Sequence, residues 1–245
     1  QGGGIVATER CNEIVAETQR LSDEFSALIE PRVFDPAEAR AEVRLSCNYY
    51  ERVVLLPPLI RRLRKSAPYL RLNIISSTVE GRNQLSRGES DLLIGPIEIN
   101  DAGFYRRRLL EDEYVCVMAP ENPLAGQVFD LERYVNAPHA VVTYGGNWKS
   151  SYLGALETLG LSPNTVIEVP SPANLPSVLG GTDLIGTVPR RTAQAFGAAV
   201  VTVECPVPSP FGIDLYWTVR THHSPMHRWF RAELASVAAQ TASAA

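Results

Sequence analysis

Lysine, histidine, methionine and cysteine are all scarce in this chain, and each shortage narrows what it can be. Of its 245 residues, Lys65 and Lys149 are the only lysines and the remaining basic residues are arginines. The net charge is -4, so the chain as a whole is not an electrostatic binder of nucleic acid. The four cysteines, Cys11, Cys47, Cys116 and Cys205, contain no C-x-x-C pair. That spacing argues against a zinc site or a disulfide framework and for the reduced thiols of a cytoplasmic protein. The longest apolar runs, such as Val53–Ile60, fall far short of the roughly 20 residues that a membrane helix needs. No membrane partner is expected, and no charged segment followed by an apolar one marks export.

Catalytic signatures are missing too. There is no G-x-S-x-G elbow, P-loop, H-E-x-x-H or G-x-G-x-x-G, and no serine or aspartate spacing singles out a nucleophile with its base. His223 and His227 are four apart, but Pro225 lies between them, so a solvated turn is the better reading than a metal site. The chain is therefore expected to be no enzyme, with no catalytic residue, metal or cofactor.

What is present reads as a soluble α/β body. Apolar residues make up 45% of the chain and charged ones 20%, which suits one large domain or two small ones. At the N-terminus, Ala7, Cys11, Ile14, Thr18, Leu21, Phe25 and Leu28 alternate spacings of four and three. This is a narrow apolar seam on a helix that Pro31 stops, and such a seam wants a partner helix, most simply a second copy of itself. Asp35-Pro36-Ala37-Glu38 predicts a second helix start. Strands are expected at Val43–Cys47, Leu70–Ser76, Asp91–Gly95, Glu113–Ala119, His139–Thr143, Thr165–Val169 and Ile213–Arg220. Helices are expected from about Tyr50 to Lys65 with a break at Pro57 and Pro58, and over Gly81–Arg87, Trp148–Leu159, Leu175–Leu179 and Met226–Ala238. This alternation implies parallel sheets covered on both faces.

Thr182-Asp183-Leu184-Ile185-Gly186 echoes Ser90-Asp91-Leu92-Leu93-Ile94-Gly95, which suggests two similar lobes. Ligands of open α/β sheets bind outside the carboxyl ends of the strands, so a cleft is expected between Gly95-Pro96, Thr143-Tyr144 and Gly186-Thr187. Gly145-Gly146 could offer backbone amides to an anion or form a plain loop. Arg106-Arg107-Arg108 reads as a solvated charge run, or as one arginine turned onto an effector carboxylate.

Several ordered short segments carry a resemblance. They include Phe34-Asp35-Pro36, Leu56-Pro57-Pro58-Leu59 and Ala67-Pro68. Arg87-Gly88-Glu89-Ser90-Asp91, Asn122-Pro123-Leu124 and Pro138-His139 follow, and Tyr216-Trp217 and Arg228-Trp229-Phe230-Arg231 close the series. From about Ile5 to Trp229 the chain resembles the linker helix and effector-binding part of LysR-type transcriptional regulators, in the branch of the nodulation and naphthalene-degradation regulators. The resemblance implies two Rossmann-like lobes with two crossovers, like a type II periplasmic binding protein, behind a dimerisation linker helix over 5–30. The first lobe is expected over 43–119 and 212–245 and the second over 120–211, with crossovers near Met118–Pro120 and Pro210–Ile213. The winged helix-turn-helix of such regulators is absent from this sequence, so promoter DNA is expected as a partner only through that part. A homodimer or homotetramer and a small-molecule inducer are the other implied partners.

The resemblance also implies effector contacts. In the first lobe these are Cys47, Asn48, Tyr49, Tyr50, Ser77, Thr78 and Pro96, with Arg107 as a charged candidate. In the second they are Tyr144, Gly145, Asn147, Trp148 and Asn174, with Phe211 at the rim. Other roles stay open: Tyr49 and Tyr50 as packing, Ser77 and Thr78 as caps for the helix at Gly81, Trp148 as an anchor, and Cys47 as a small buried hydrophobe. Aromatic faces with interspersed hydroxyls and amides, no lysine and at most one arginine suit an aromatic acid or phenol better than a sugar or dicarboxylate. The competing reading is a solute-binding protein for a small organic acid.

Overall fold

A computed structural model describes residues 8–29, 34–77, 80–127, 129–144 and 149–243. Helix α1 (Glu9–Ile29) opens the described chain. The next segment is a correction: 36–38 form a turn, not a helix. The Asp35 carboxylate accepts the Ala37 N–H at 2.9 Å, which satisfies the turn locally, and the chain then straightens into a strand. Phe34 packs its ring on Trp229, 5.5 Å between centroids.

The first lobe follows as β1 (Glu42–Cys47), α2 (Tyr49–Val54), α3 (Leu56–Ser66), β2 (Arg71–Ser76), α4 (Gly81–Ser86), β3 (Leu92–Gly95) and β4 (Phe104–Asp112). The helix expected over 50–65 is broken at Leu55, because Pro57 and Pro58 can begin a helix but cannot continue one. The second lobe comprises β5 (Tyr114–Met118), α5 (Leu131–Asn136), β6 (Pro138–Val142), α6 (Ser151–Thr158), β7 (Asn164–Val169), α7 (Leu175–Leu179), β8 (Ile185–Pro189), α8 (Arg190–Phe196) and β9 (Val201–Glu204). The chain then returns to the first lobe as β10 (Phe211–Thr218), α9 (Val219–His222) and α10 (Pro225–Ser243).

Each lobe holds one five-stranded sheet, ordered β2-β1-β3-β10-β4 and β7-β6-β8-β5-β9. The sheets are mixed rather than wholly parallel. β10 runs antiparallel to both its neighbours, and β5 does the same in the other sheet. These are the strands that carry the chain between lobes. β5, expected to end the first lobe, lies inside the second sheet, so the first crossover is at Asp112–Glu113 rather than near Met118–Pro120. The second crossover is 205–210. Val43, Leu45, Leu92, Ile94, Ile213 and Leu215 build the first core against Leu59, Phe230 and Leu234. In the second sheet, side-chain alternation sends Val115 and Val117 to one core and Cys116 and Met118 to the other.

α1 leans on the first lobe with its polar side. Gln19 and Asp23 are half-buried there, while Ile14, Leu21 and Phe25 are 52%, 53% and 65% exposed. The seam read from the sequence thus faces away from its own domain; the side chain of Leu28 and all of Ala7 lie outside the described residues.

Candidate functional site

The carboxyl ends of β1 and β2 lie side by side, with Cys47 opposite Ser76 and the Ser77 N–H donating to the Cys47 carbonyl at 3.3 Å. This register brings Asn48 and buried Ser77 together at the foot of α2. Asn48 is the N-cap, and its N–H donates to the Glu51 carboxylate at 2.8 Å, one half of a capping box. Glu51 is 1% exposed. Burial pushes its carboxyl from 4.5 to about 7, although backbone hydrogen bonds pull it the other way. Tyr49 is half-buried on the same turn, and burial raises its phenol too. Arg52 is tied to the Asn48 carbonyl at 3.0 Å.

From the other lobe comes Tyr144, two residues beyond β6 and half-buried. Its phenol is pushed up first by burial, then by Tyr114, Glu51 and Tyr49. Glu51 and Tyr49 belong to the first lobe, so Tyr144 lies near enough to both to interact electrostatically across the gap between sheets. The expected group Cys47, Asn48, Tyr49, Ser77 and Tyr144 is therefore largely brought to one place. Cys47 is fully buried, and its thiol is pushed up to about 12 by burial and by Glu51. It acts as a small apolar side chain under the site, not as a nucleophile. Pro96 is half-buried just past β3.

Other expected residues have different places. Tyr50 turns away from the cleft: its hydroxyl donates to Asp112 at 2.8 Å, and its ring meets Phe211 edge-on at 5.9 Å. Phe211 also contacts Tyr114 at 4.9 Å and belongs to the cores of both lobes. It is a packing element between lobes rather than a rim residue. Arg107 is exposed on the edge strand β4, paired in register with Leu215, upstream of the strand end where the cleft lies. Within that run Arg108 lies 2.7 Å from buried Asp214, and Arg106 lies 4.0 Å from exposed Glu98. Asn174 is exposed in a short 3-10 turn after β7. Gly186-Thr187 is not a cleft edge: Thr187 is buried inside β8 and hydrogen-bonded to Tyr134 at 2.8 Å. Thr78, Gly145, Asn147 and Trp148 lie outside the described residues, as does Gly146.

Sequence reasoning missed Glu51, Asp112 and Arg191. The signal for Glu51 was present, since Asn48-x-x-Glu51 is a capping-box pattern. Asp112 sits at the first crossover, where it accepts from Tyr50 of one lobe and pairs with Arg191 of the other at 3.3 Å. No local pattern announces that contact. Among the described residues no group of three or more His, Cys, Asp or Glu side chains could hold a metal, and no helix is long and apolar enough to cross a membrane.

A family model for the LysR substrate binding domain matches residues 36–239. The chain is 28% identical over 247 residues to the HTH-type transcriptional regulator SyrM 1 of Sinorhizobium fredii, covering 97% of this chain and 71% of that protein. It is 27% identical over 215 residues to the HTH-type transcriptional activator NahR of Pseudomonas putida, covering 84% and 70%. Among solved structures, the regulatory domain of MexT, a transcriptional activator in Pseudomonas aeruginosa, matches with a TM-score of 0.73 at 28% identity, covering 82% of this chain and all of that one. Two crossed-over α/β lobes and a match over nearly the whole two-lobed body agree: the chain belongs to the LysR substrate-binding-domain family and is the effector-binding domain of a LysR-type transcriptional regulator.

Proposed function

We propose that the gap between the lobes binds a small aromatic inducer, with a phenol favoured, and that its occupancy changes the lobe arrangement in DNA-bound dimers or tetramers. The observation that supports this most is the electrostatic proximity of Tyr49 and Glu51 of one lobe to Tyr144 of the other, with Glu51 buried. Two aromatic side chains suit a flat ring, and Ser77 and Asn48 beside them suit a polar substituent. Glu51 refines the choice. A carboxylate ligand placed against a buried acid would raise the cost of ionising either group, whereas a phenol hydroxyl can donate to it. The solute-binding alternative offers no role for the exposed seam on α1, which an inducer-responsive dimer uses.

A thermal-shift screen with phenols, benzoic acids and aliphatic dicarboxylic acids tests the proposal, because a ligand that binds only the folded state raises the melting temperature. Phenols should give the largest shifts. If Trp148 lines the site, as the resemblance implies, a bound ring should also quench its fluorescence. Trp148→Phe should then abolish the change and Trp217→Phe preserve it, since Trp217 is engaged inside the first lobe by Arg231 and His222. Stabilisation by dicarboxylates alone would overturn the assignment.

A further inference from the structure

A second site of chemistry lies on one face of the second sheet. β5 and β9 run antiparallel, with Cys116 opposite Val203. Cys205 comes two residues after Val203 and so projects to the same face as Cys116. Both enter one apolar cluster with Tyr134 and Tyr152. Cys116 is fully buried, while Cys205 is partly open. The Cys205 thiol is held below its ordinary value, chiefly by Cys116, with Val207 and Tyr134 also among the groups around it and burial and the Glu204 carboxylate acting against the shift. A lowered thiol favours the thiolate. Cys116 is pushed far up by Cys205 and by burial.

We propose that Cys116 and Cys205 are a reversible redox pair, closed by a hydroperoxide into an intrachain disulfide that ties β5 to the second crossover. The Cys205 thiolate attacks one peroxide oxygen and the O–O bond breaks, leaving a sulfenic acid and hydroxide, which takes up a proton to become water. The Cys116 sulfur then displaces the sulfenic oxygen as a second water, forming the S–S bond. In sum, two thiols and one hydrogen peroxide give one disulfide and two waters. Diagonal neighbours on antiparallel strands stand about 7–8 Å apart at Cα, slightly beyond the roughly 4.4–6.8 Å of a disulfide. Glu204 is the last paired residue of β9, so Cys205 lies outside the ladder and closure draws 205–210 towards β5. Because that segment leads into β10, oxidation acts on the connection between lobes.

Cys11 is exposed, so Cys11→Ser removes a competing thiol without touching the fold. That protein, treated with one equivalent of hydrogen peroxide and digested without reductant, should yield a linked peptide pair containing Cys116 and Cys205. Two titratable thiols should disappear and return with dithiothreitol. Adding Cys116→Ser should leave a dimedone-trappable sulfenic acid on Cys205. The decisive reading comes from the Cys11→Ser protein itself and does not depend on the folding of the second variant. Retention of both thiols, or sulfinic acid on Cys205 with no linked peptide, would show the pair to be a packing contact and overturn the proposal.

Discussion

Changing Glu51 to glutamine removes one ionisation from the wall of the cleft and leaves the shape in place. In the folded protein the carboxyl is buried and titrates at about 7, against 4.5 for an unperturbed glutamate. Between those values the native state holds a proton that the unfolded chain has lost. The stability due to the protonated form is complete below pH 4.5, declines as pH rises through the window, and has gone above about 7. At 1.36 kcal/mol per unit, the change amounts to about 3 kcal/mol. Glutamine cannot ionise but can still accept the Asn48 N–H through its amide oxygen. The stability difference between Glu51→Gln and the parent should therefore move in the variant's favour by about 3 kcal/mol from about pH 4.5 to about pH 8. Urea denaturation followed by circular dichroism across that range measures the difference, and every other titrating group cancels in it. Parallel curves for the two proteins would refute the reasoning, because they would mean that Glu51 ionises as freely in the fold as outside it.

The other expectations concern assembly and packing. Leu21 and Phe25 are 53% and 65% exposed on α1, and burying each in a partner would contribute roughly 1.5–3 kcal/mol. Changing both to Asp should shift sedimentation towards smaller species; an unmoved distribution would mean the seam does not mediate association. Tyr50→Phe removes the 2.8 Å donor to buried Asp112 and should cost about 2 kcal/mol in denaturant unfolding, whereas no loss would show that the contact between lobe and crossover is idle. Gly81→Ala would place a Cβ 2.8 Å from a Leu93 methyl and 2.9 Å from the Ser77 Cβ. It should destabilise by about 1–3 kcal/mol, and a variant as stable as its parent would refute this packing of α4 on β3.

Much of the fold was legible because its strands are apolar and end in turn residues. Leu92–Gly95 and Pro138–Val142 were found within a residue or two of their ends. β4 was not, because Arg106, Arg107 and Arg108 hide its pattern. It is an edge strand, exposed along much of its length, and such strands carry charge instead of apolar alternation. The transfer of β5 to the second lobe was equally hidden: Tyr114–Met118 is buried at every position, and a wholly buried strand fits either sheet. In the site, Asn48, Tyr49 and Ser77 of the carried-over residues lie at the foot of α2, and Tyr144 lies across the gap. Tyr50 and Phe211 pack at the junction between lobes. Asp112 and Arg191 are 79 residues apart, and only the folded crossover brings them together.

The central claim is that side chains from both lobes hold one aromatic ligand, and calorimetric titration tests it most directly. The measurement compares a phenol, a benzoic acid and an aliphatic dicarboxylic acid on the parent, on Tyr144→Leu and on Tyr69→Leu, an exposed tyrosine covered only by Arg40. The account predicts saturable binding of the phenol, weakened at least about tenfold, or about 1.4 kcal/mol, by Tyr144→Leu and unchanged by Tyr69→Leu. Phenol binding that survives Tyr144→Leu intact, or tight binding of the dicarboxylic acid with no response to either aromatic compound, would contradict it.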